Sequence, residues 1–215
     1  HMGLVTSQEH EFTQAAIDTA AATVEQHIDL ERLQRIVCSH PRSDISTARQ
    51  SPSIGAPIAQ DTDAVIIGVV KDSAFQFYYP DNIDALEQLG AIIEYISPLT
   101  QTEIPDLHAI YMGGGFPETH APQLAQNKSF RKNLKALSEK GMPIYAECGG
   151  LIFLGESIRL DGVDYPMSGI LPIKFGLSNK PQGHGYTQVE VVRNNPFFKP
   201  GEILKGHEFR YSSIM

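Results

Sequence analysis

The chain has 215 residues, of which 41% are hydrophobic, and its 17 basic and 25 acidic side chains give a net charge of −8. This length allows one good-sized domain plus an extension, and the acidic balance argues against nucleic acid or an anionic membrane as the main partner. No apolar run approaches the ~20 residues of a membrane span, and the two cysteines, Cys38 and Cys148, fit a reduced, cytoplasmic setting.

Residues 8–40 are predicted to form two helices, because their apolar residues recur at helical spacing. Ile17 and Val24 belong to one such stripe, and Asp29 is placed to cap the second helix. We expect a helical hairpin packed on the main domain, or a remnant of a preceding domain. Residues 41–63 contain several prolines among polar residues, which predicts a linker.

From residue 65 onwards, apolar strands alternate with helices. Strands are predicted at 65–70, 91–96, 109–112 and 143–147, and helices at 80–89 and 129–140. This alternation indicates βαβ units and a parallel sheet with helices on both faces, a flavodoxin-like α/β layer structure. Beyond about residue 158 we expect short strands and turns, with a hairpin signal at Asp161-Gly162 and a further strand at Thr187–Val192.

An apolar strand runs directly into Cys148, with small residues two positions before it, Ala146, and two positions after it, Gly150. This pattern is typical of a nucleophile elbow, a sharp strand-to-helix turn that lifts its side chain above the sheet edge. The helix that follows is expected to favour the thiolate. Backbone N–H groups of Gly149 and Gly150 could hold an oxyanion. The alternative is an inert cysteine buried at the end of a strand.

Three glycines at 113–115 follow the strand at 109–112. Glycine permits close backbone approach to a ligand, and the loop should lie at the same sheet edge as Cys148. Backbone N–H groups of Gly114 and Gly115 are therefore candidate oxyanion donors, and Glu118 could meet a substrate ammonium group. The alternative is an ordinary turn between strand and helix. It is not a phosphate loop, because no Lys-Ser or Lys-Thr follows.

Two histidines are candidate bases for the cysteine. His207 stands beside Glu208, a candidate orienting carboxylate, but adjacent residues of a strand point to opposite faces and cannot easily serve one site. His184 is the second candidate, and a structural histidine is the alternative for either. Residues 70–80 leave the first strand as polar and then aromatic residues, which indicates a substrate-facing loop or aromatic packing over a helix.

These stretches, in this order, resemble the cobyrinic acid a,c-diamide synthase family, whose glutamine amidotransferase domain is of the cobyrinate/cobyric-acid type. The matching segments are Lys71–Asn82, Tyr111–Glu118, Ala146–Leu154 and Gly206–Ser212. The resemblance implies a flavodoxin-like three-layer class I glutamine amidotransferase fold with a mostly parallel central sheet over residues 64–215. Residues 1–63 would be a helical extension and linker, the tail of an ATP-binding synthetase domain.

The resemblance also implies a reaction. Cys148 would be the nucleophile that hydrolyses glutamine through a cysteinyl thioester. Ammonia would pass to the synthetase domain, which activates carboxylates of a tetrapyrrole such as cobyrinic acid with ATP and Mg²⁺, on the way to cobalamin. Relatives amidate sirohydrochlorin-type rings by the same chemistry. No cofactor and no metal are expected in the segment itself, and a homodimer is one alternative for its assembly.

The sequence departs from the family pattern in two places. It contains no Gly-x4-Gly-Lys-Ser/Thr phosphate loop, and the family's base histidine lies beyond the Gly-His-Glu-Phe stretch, so His207 does not inherit that role. His207 and Glu208 would then face the synthetase side or the acceptor. We therefore expect a C-terminal fragment, truncated before the base histidine, with slow turnover or none. The rivals are a self-standing cysteine hydrolase using His207 or His184, and a non-catalytic docking or binding module with the same fold.

Overall fold

The computed structural model describes residues 13–39 and 64–215, and the chain divides into two units, within His1–Ala56 and Pro57–Met215. The linker predicted at 41–63 and the helix start predicted at 8–12 lie outside the described residues. In the first unit, helices α1 (Thr13–His27) and α2 (Leu30–Ser39) follow each other closely. The Asp29 carboxylate accepts the Arg32 backbone N–H at 2.8 Å, which confirms the predicted cap of α2.

The second unit is built on a parallel sheet. Its elements in chain order are β1 (Ile66–Val70), α3 (Pro80–Gln88), β2 (Ile92–Ile96), β3 (Ala109–Met112), α4 (Ala121–Gln126), α5 (Lys128–Glu139), β4 (Ile144–Ala146) and α6 (Gly149–Leu154). The strand order is β2-β1-β3-β4, with every pair parallel. The predicted sheet and its two predicted helices are thereby confirmed, and α4 is an addition.

The order of the strands reverses at β1, since the chain moves from β1 to β2 on one side and from β3 to β4 on the other. Right-handed crossovers then place α3 on one face of the sheet and α4 with α5 on the opposite face. Parallel sheets of this kind bind their ligands at the carboxyl ends of the strands, at the point where the order reverses. That point lies between the ends of β1 and β3.

One face of the sheet packs against α4, α5 and α6 to form the main core. Met112, Phe130, Leu134 and Phe153 are each fully buried there. The Asn127 side chain caps α5 by accepting the Phe130 backbone N–H at 3.2 Å. Gly90 and Gly141, which follow α3 and α5, lie in the left-handed region with φ of 93° and 89°. This packing fixes the carboxyl ends of β3 and β4 relative to each other.

The last third of the chain contains six strands. They are β5 (Ser157–Leu160), β6 (Val163–Pro166), β7 (Lys174–Leu177), β8 (Gly183–Glu190), β9 (Ile203–Arg210) and β10 (Ser212–Ile214). Four form a sheet in the order β10-β7-β5-β6, and β8 and β9 form an antiparallel pair. The predicted hairpin turn is confirmed by Asp161 and Gly162, with φ of 48° and 81°. Strand β8 begins four residues before the predicted Thr187, so His184 lies in a strand. Across residues 13–39 and 64–215, no helix is both long and apolar enough to cross a bilayer.

Candidate active site

Cys148 lies on the bend between β4 and α6 with φ 49° and ψ −111°. Non-glycine residues seldom adopt a positive φ, which costs about 1–3 kcal/mol and persists only where the surroundings impose it. Two bonds impose it here, because the Gly150 backbone N–H donates to the carbonyls of Glu147 at 2.8 Å and Gly113 at 3.0 Å. The predicted sharp strand-to-helix turn is therefore present, and it leaves the cysteine exposed.

Glycines allow the loop after β3 to lie directly against this bend. A Cβ on Gly149 would come within 2.9 Å of Pro117 Cδ and 3.1 Å of the Gly115 nitrogen. A Cβ on Gly150 would lie 2.7 Å from the Met112 carbonyl oxygen. Both positions need glycine because the opposing atoms are backbone or ring atoms with little room to move.

Gly114, Gly115 and Gly149 surround the Cys148 side chain. A Cβ on Gly114 would contact Cys148 Cβ at 3.3 Å, and the backbone N–H groups of Gly115 and Gly149 both hydrogen-bond the sulfur. The structure thus brings together three of the four glycines that the sequence nominated as oxyanion donors. The parallel prediction for Gly150 is wrong, since its N–H is already shared between two carbonyls.

The charge environment of Cys148 differs from the predicted one. Burial of the sulfur among the surrounding loops raises the pKa of the Cys148 thiol, and this outweighs the N–H groups of Gly149 and Gly115, which lower it. The carboxylates of Glu118 and Glu147 raise the pKa further. The sequence predicted a thiolate favoured by the following helix, but α6 has only 6 residues, and of the two N–H groups that lower the pKa only that of Gly149 belongs to it.

The two histidines nominated as bases lie in the β8–β9 hairpin. Their ring centroids are 6.4 Å apart, His184 packs edge-on to Phe209 at 5.6 Å, and His207 packs edge-on to Tyr186 at 5.5 Å. Glu208 accepts from Arg210 Nε at 2.6 Å. All of these contacts stay within the hairpin, whereas the charges acting on Cys148 come from two carboxylates.

The loop between β1 and α3 packs on the loop after β3 that contains glycines 113–115, called the glycine loop below, as expected for a segment at the ligand edge. Backbone N–H groups of Gln76 and Phe77 both donate to the Gly114 carbonyl at 3.0 Å. The Phe77 ring packs edge-on to Phe116 at 5.2 Å. This contact joins the loop to Phe116, which lies outside the helices, whereas the alternative considered for this stretch was aromatic packing over a helix.

An aromatic row beside the elbow was not predicted from the sequence. Edge-to-face contacts join Tyr78 to Tyr111 at 5.3 Å, Tyr111 to Tyr145 at 5.7 Å and Tyr145 to Phe197 at 5.2 Å. Burial and a hydrogen bond with Glu147 raise the pKa of Tyr145 to about 12. The alternation of β3 and β4 places Tyr111 and Tyr145 on one face, which was a usable signal. Nothing in the sequence indicated that Phe197 would approach this row from a distant loop.

The chain is similar in sequence to known proteins over most of its length. A family profile described as the CobB/CobQ-like glutamine amidotransferase domain matches residues 66–215. Cobyrinate a,c-diamide synthases of Listeria monocytogenes and Syntrophotalea carbinolica are 36% and 38% identical to the chain, over 99% and 100% of its length. The chain spans about half the length of these relatives, 45% and 46%. A solved glutamine amidotransferase aligns with 58% of the chain and 62% of its own, at 21% identity and a TM-score of 0.41.

Proposed function

The chain belongs to the CobB/CobQ-like glutamine amidotransferase domain family, and from that premise we propose that it releases ammonia from glutamine with Cys148 as the nucleophile. The observation that carries the proposal is the presentation of this cysteine. Cys148 is an exposed residue on a positive-φ bend, and the N–H groups of Gly115 and Gly149 hydrogen-bond its partly desolvated sulfur. Such donors stabilise negative charge that develops on a carbonyl oxygen during acyl transfer.

The proposed reaction has two halves. The Cys148 sulfur bonds to the carboxamide carbon of glutamine, and the carbonyl electron pair moves to the oxygen, where the N–H groups of Gly114, Gly115 and Gly149 hold it. The oxyanion collapses, the C–N bond breaks and ammonia leaves with the proton that the thiol gave up. Water then attacks the thioester, which releases glutamate and restores the thiol.

Proton transfer is expected to limit the rate. The raised pKa of Cys148 keeps most of the thiol protonated near neutral pH, and the thiolate is the nucleophile. The family resemblance implies a histidine base beyond residues 206–212. With the described residues alone we expect slow turnover that increases as the pH rises towards the pKa of the thiol.

Glu118 is proposed to hold the α-ammonium group of glutamine. Its side chain is half-buried and close enough to Cys148 for its charge to raise the pKa of the thiol. A bound ammonium would neutralise that charge, so substrate binding itself would make the thiolate easier to form. Binding and activation of the nucleophile would then be coupled through one carboxylate.

The relatives' name supplies the proposed acceptor. The ammonia would amidate carboxylates of a cobyrinate-like tetrapyrrole, which a synthetase domain activates with ATP and Mg²⁺. His207 and Glu208, in the β8–β9 hairpin, are proposed to face that domain or the acceptor. The compartment is proposed to be the cytoplasm, and domain boundaries at 63 and 64 remain a prediction.

A second candidate is a docking or binding module that keeps the fold without hydrolysis. The raised pKa of Cys148 and the two neighbouring carboxylates favour it, since both disfavour the reactive thiolate. This candidate predicts that Cys148 reacts no faster with a glutamine analogue than a simple exposed thiol does.

The test uses 6-diazo-5-oxo-L-norleucine, a glutamine analogue that alkylates a nucleophilic cysteine with loss of dinitrogen. We expect one adduct by intact-protein mass spectrometry, located at Cys148, slowed by free glutamine and absent in Cys148→Ser. Cys38, which is also exposed, is the internal control and should stay unlabelled. If iodoacetamide modifies Cys148 while the analogue does not, the glutamine pocket is absent and the docking module is favoured.

A further inference from the structure

Tyr78 connects the ends of β1 and β3 through its hydroxyl group. The hydroxyl donates to the Val70 carbonyl and accepts the Gly113 backbone N–H at 2.8 Å. Val70 pairs with Met112 in the parallel ladder, so the next bond of the ladder would run directly from the Gly113 N–H to the Val70 carbonyl. The Tyr78 hydroxyl takes the place of that bond, at the point where the strand order reverses.

The group that Tyr78 holds is the start of the glycine loop. The Gly113 carbonyl accepts the Gly150 N–H at 3.0 Å, two residues beyond the nucleophile. On the other side of the same loop, the Gly115 N–H hydrogen-bonds the Cys148 sulfur. The position of Gly113 therefore fixes both the elbow and the donor that faces the sulfur.

We propose that Tyr78 is a positioning residue, whose hydroxyl sets the distance between the glycine loop and Cys148 and thereby the reactivity of the thiol. Its hydroxyl bonds Val70 and Gly113, and it acts on the thiol through Gly113. Its contribution to glutamine hydrolysis rests on the function proposed above. Its effect on the thiol does not, because any thiol reagent can report it.

Only a neutral hydroxyl can perform this role, since it must donate to a carbonyl and accept from an N–H at the same time. Burial raises the pKa of Tyr78 far above the working range, so the proton stays in place. The ring leaves little freedom, because a Cβ on Gly113 would come within 2.7 Å of Tyr78 Cζ. Phenylalanine would keep the ring contacts and leave the Val70 carbonyl and the Gly113 N–H without their bridge.

The experiment follows the rate of iodoacetamide alkylation of Cys148 against pH in Tyr78→Phe. We expect the midpoint to move to higher pH, because a displaced Gly115 N–H no longer stabilises the thiolate. A shift of one unit lowers the rate about tenfold below the midpoint, while the plateau at high pH stays near the wild-type rate. A profile that coincides with the wild-type profile overturns the proposal.

Two variants serve as controls. Tyr95→Phe removes the hydroxyl of a half-exposed tyrosine on β2, and Ile158→Val removes a methylene from a fully buried residue of β5. The second lowers stability without touching the loop. Both should keep the wild-type profile, and a shift in Ile158→Val as large as in Tyr78→Phe would attribute the effect to general loosening and refute the role of the hydroxyl.

A measurement on the wild-type chain covers the case in which Tyr78→Phe does not fold. Amide hydrogen exchange at Gly113 should be slow, at the level of the neighbouring strand residues, because its N–H is bonded to the hydroxyl. Rapid exchange at Gly113 contradicts the proposal whatever the variants do. Failure of the glutamine analogue to label Cys148, together with a shifted alkylation profile in Tyr78→Phe, would reject the proposed function and keep this inference.

Discussion

Replacement of Gly115 by alanine should strongly slow the proposed chemistry while the fold survives. The added Cβ would lie 2.0 Å from the Ala74 carbonyl oxygen and 2.8 Å from Phe75 Cα. Ordinary contact needs about 3.5 Å, so the loop must retreat by about 1 Å or more. The Gly115 N–H would then leave hydrogen-bonding distance of the sulfur and of an oxyanion beside it.

Two magnitudes follow from that displacement. Loss of one oxyanion donor lowers the rate by about 10²–10³, and overpacking lowers the free energy of unfolding by about 1–3 kcal/mol. The assays are the rate of labelling by 6-diazo-5-oxo-L-norleucine and urea unfolding. Gly201→Ala is the matched control, because Gly201 has φ 88° with nothing within 4 Å of its Cβ position. It should lose about 1–2 kcal/mol of stability and label normally. Labelling of Gly115→Ala at the wild-type rate would refute the assignment of this donor.

Three further predictions concern the same unit. The alkylation rate of Cys148 should rise with pH to a midpoint above the ordinary thiol value of about 8.5, because burial and two carboxylates raise its pKa; a midpoint below that value would contradict the described environment. Glu118→Gln should lower this midpoint, because it removes a charge that raises the pKa of the thiol. At a pH above the midpoint it should nevertheless slow labelling by the glutamine analogue. If the variant speeds both iodoacetamide alkylation and analogue labelling, Glu118 is not an ammonium site. Asn127→Ala should lower the free energy of unfolding by about 2–3 kcal/mol. The side chain caps α5 by accepting the Phe130 N–H, and it donates to the carbonyls of Pro98 at 2.6 Å and Gln101 at 2.7 Å. A loss below about 0.5 kcal/mol in urea unfolding would show these bonds to be unimportant.

The parts of this structure that depend on local pattern could be predicted from the sequence. Continuous apolar runs gave the four strands of the parallel sheet, and the small residues around Cys148 gave the elbow. These succeed because strand burial and tight turns restrict the residue types at each position. The Asp29 cap succeeded for the same reason.

The parts that depend on distant contacts could not be predicted. Tyr78 and Tyr79 are neighbours of the same type, but only Tyr78 reaches Gly113, and Tyr79 is 75% exposed. The pKa of Cys148 moved against expectation because burial by surrounding loops outweighed the two backbone donors. The Gly150 N–H was taken by a carbonyl of another loop. Each outcome required knowledge of which segments meet at the sheet edge.

The left-handed backbone of Cys148 has a consequence for how this position changes over evolution. A glycine there would adopt φ 49° without the steric penalty that a side chain suffers. The free energy of unfolding of Cys148→Gly should therefore exceed that of the wild type by up to about 1 kcal/mol. Selection for stability alone would therefore replace the cysteine. Its retention in any descendant is a sign that the thiol is still in use, and lineages that lose the activity should lose this side chain early.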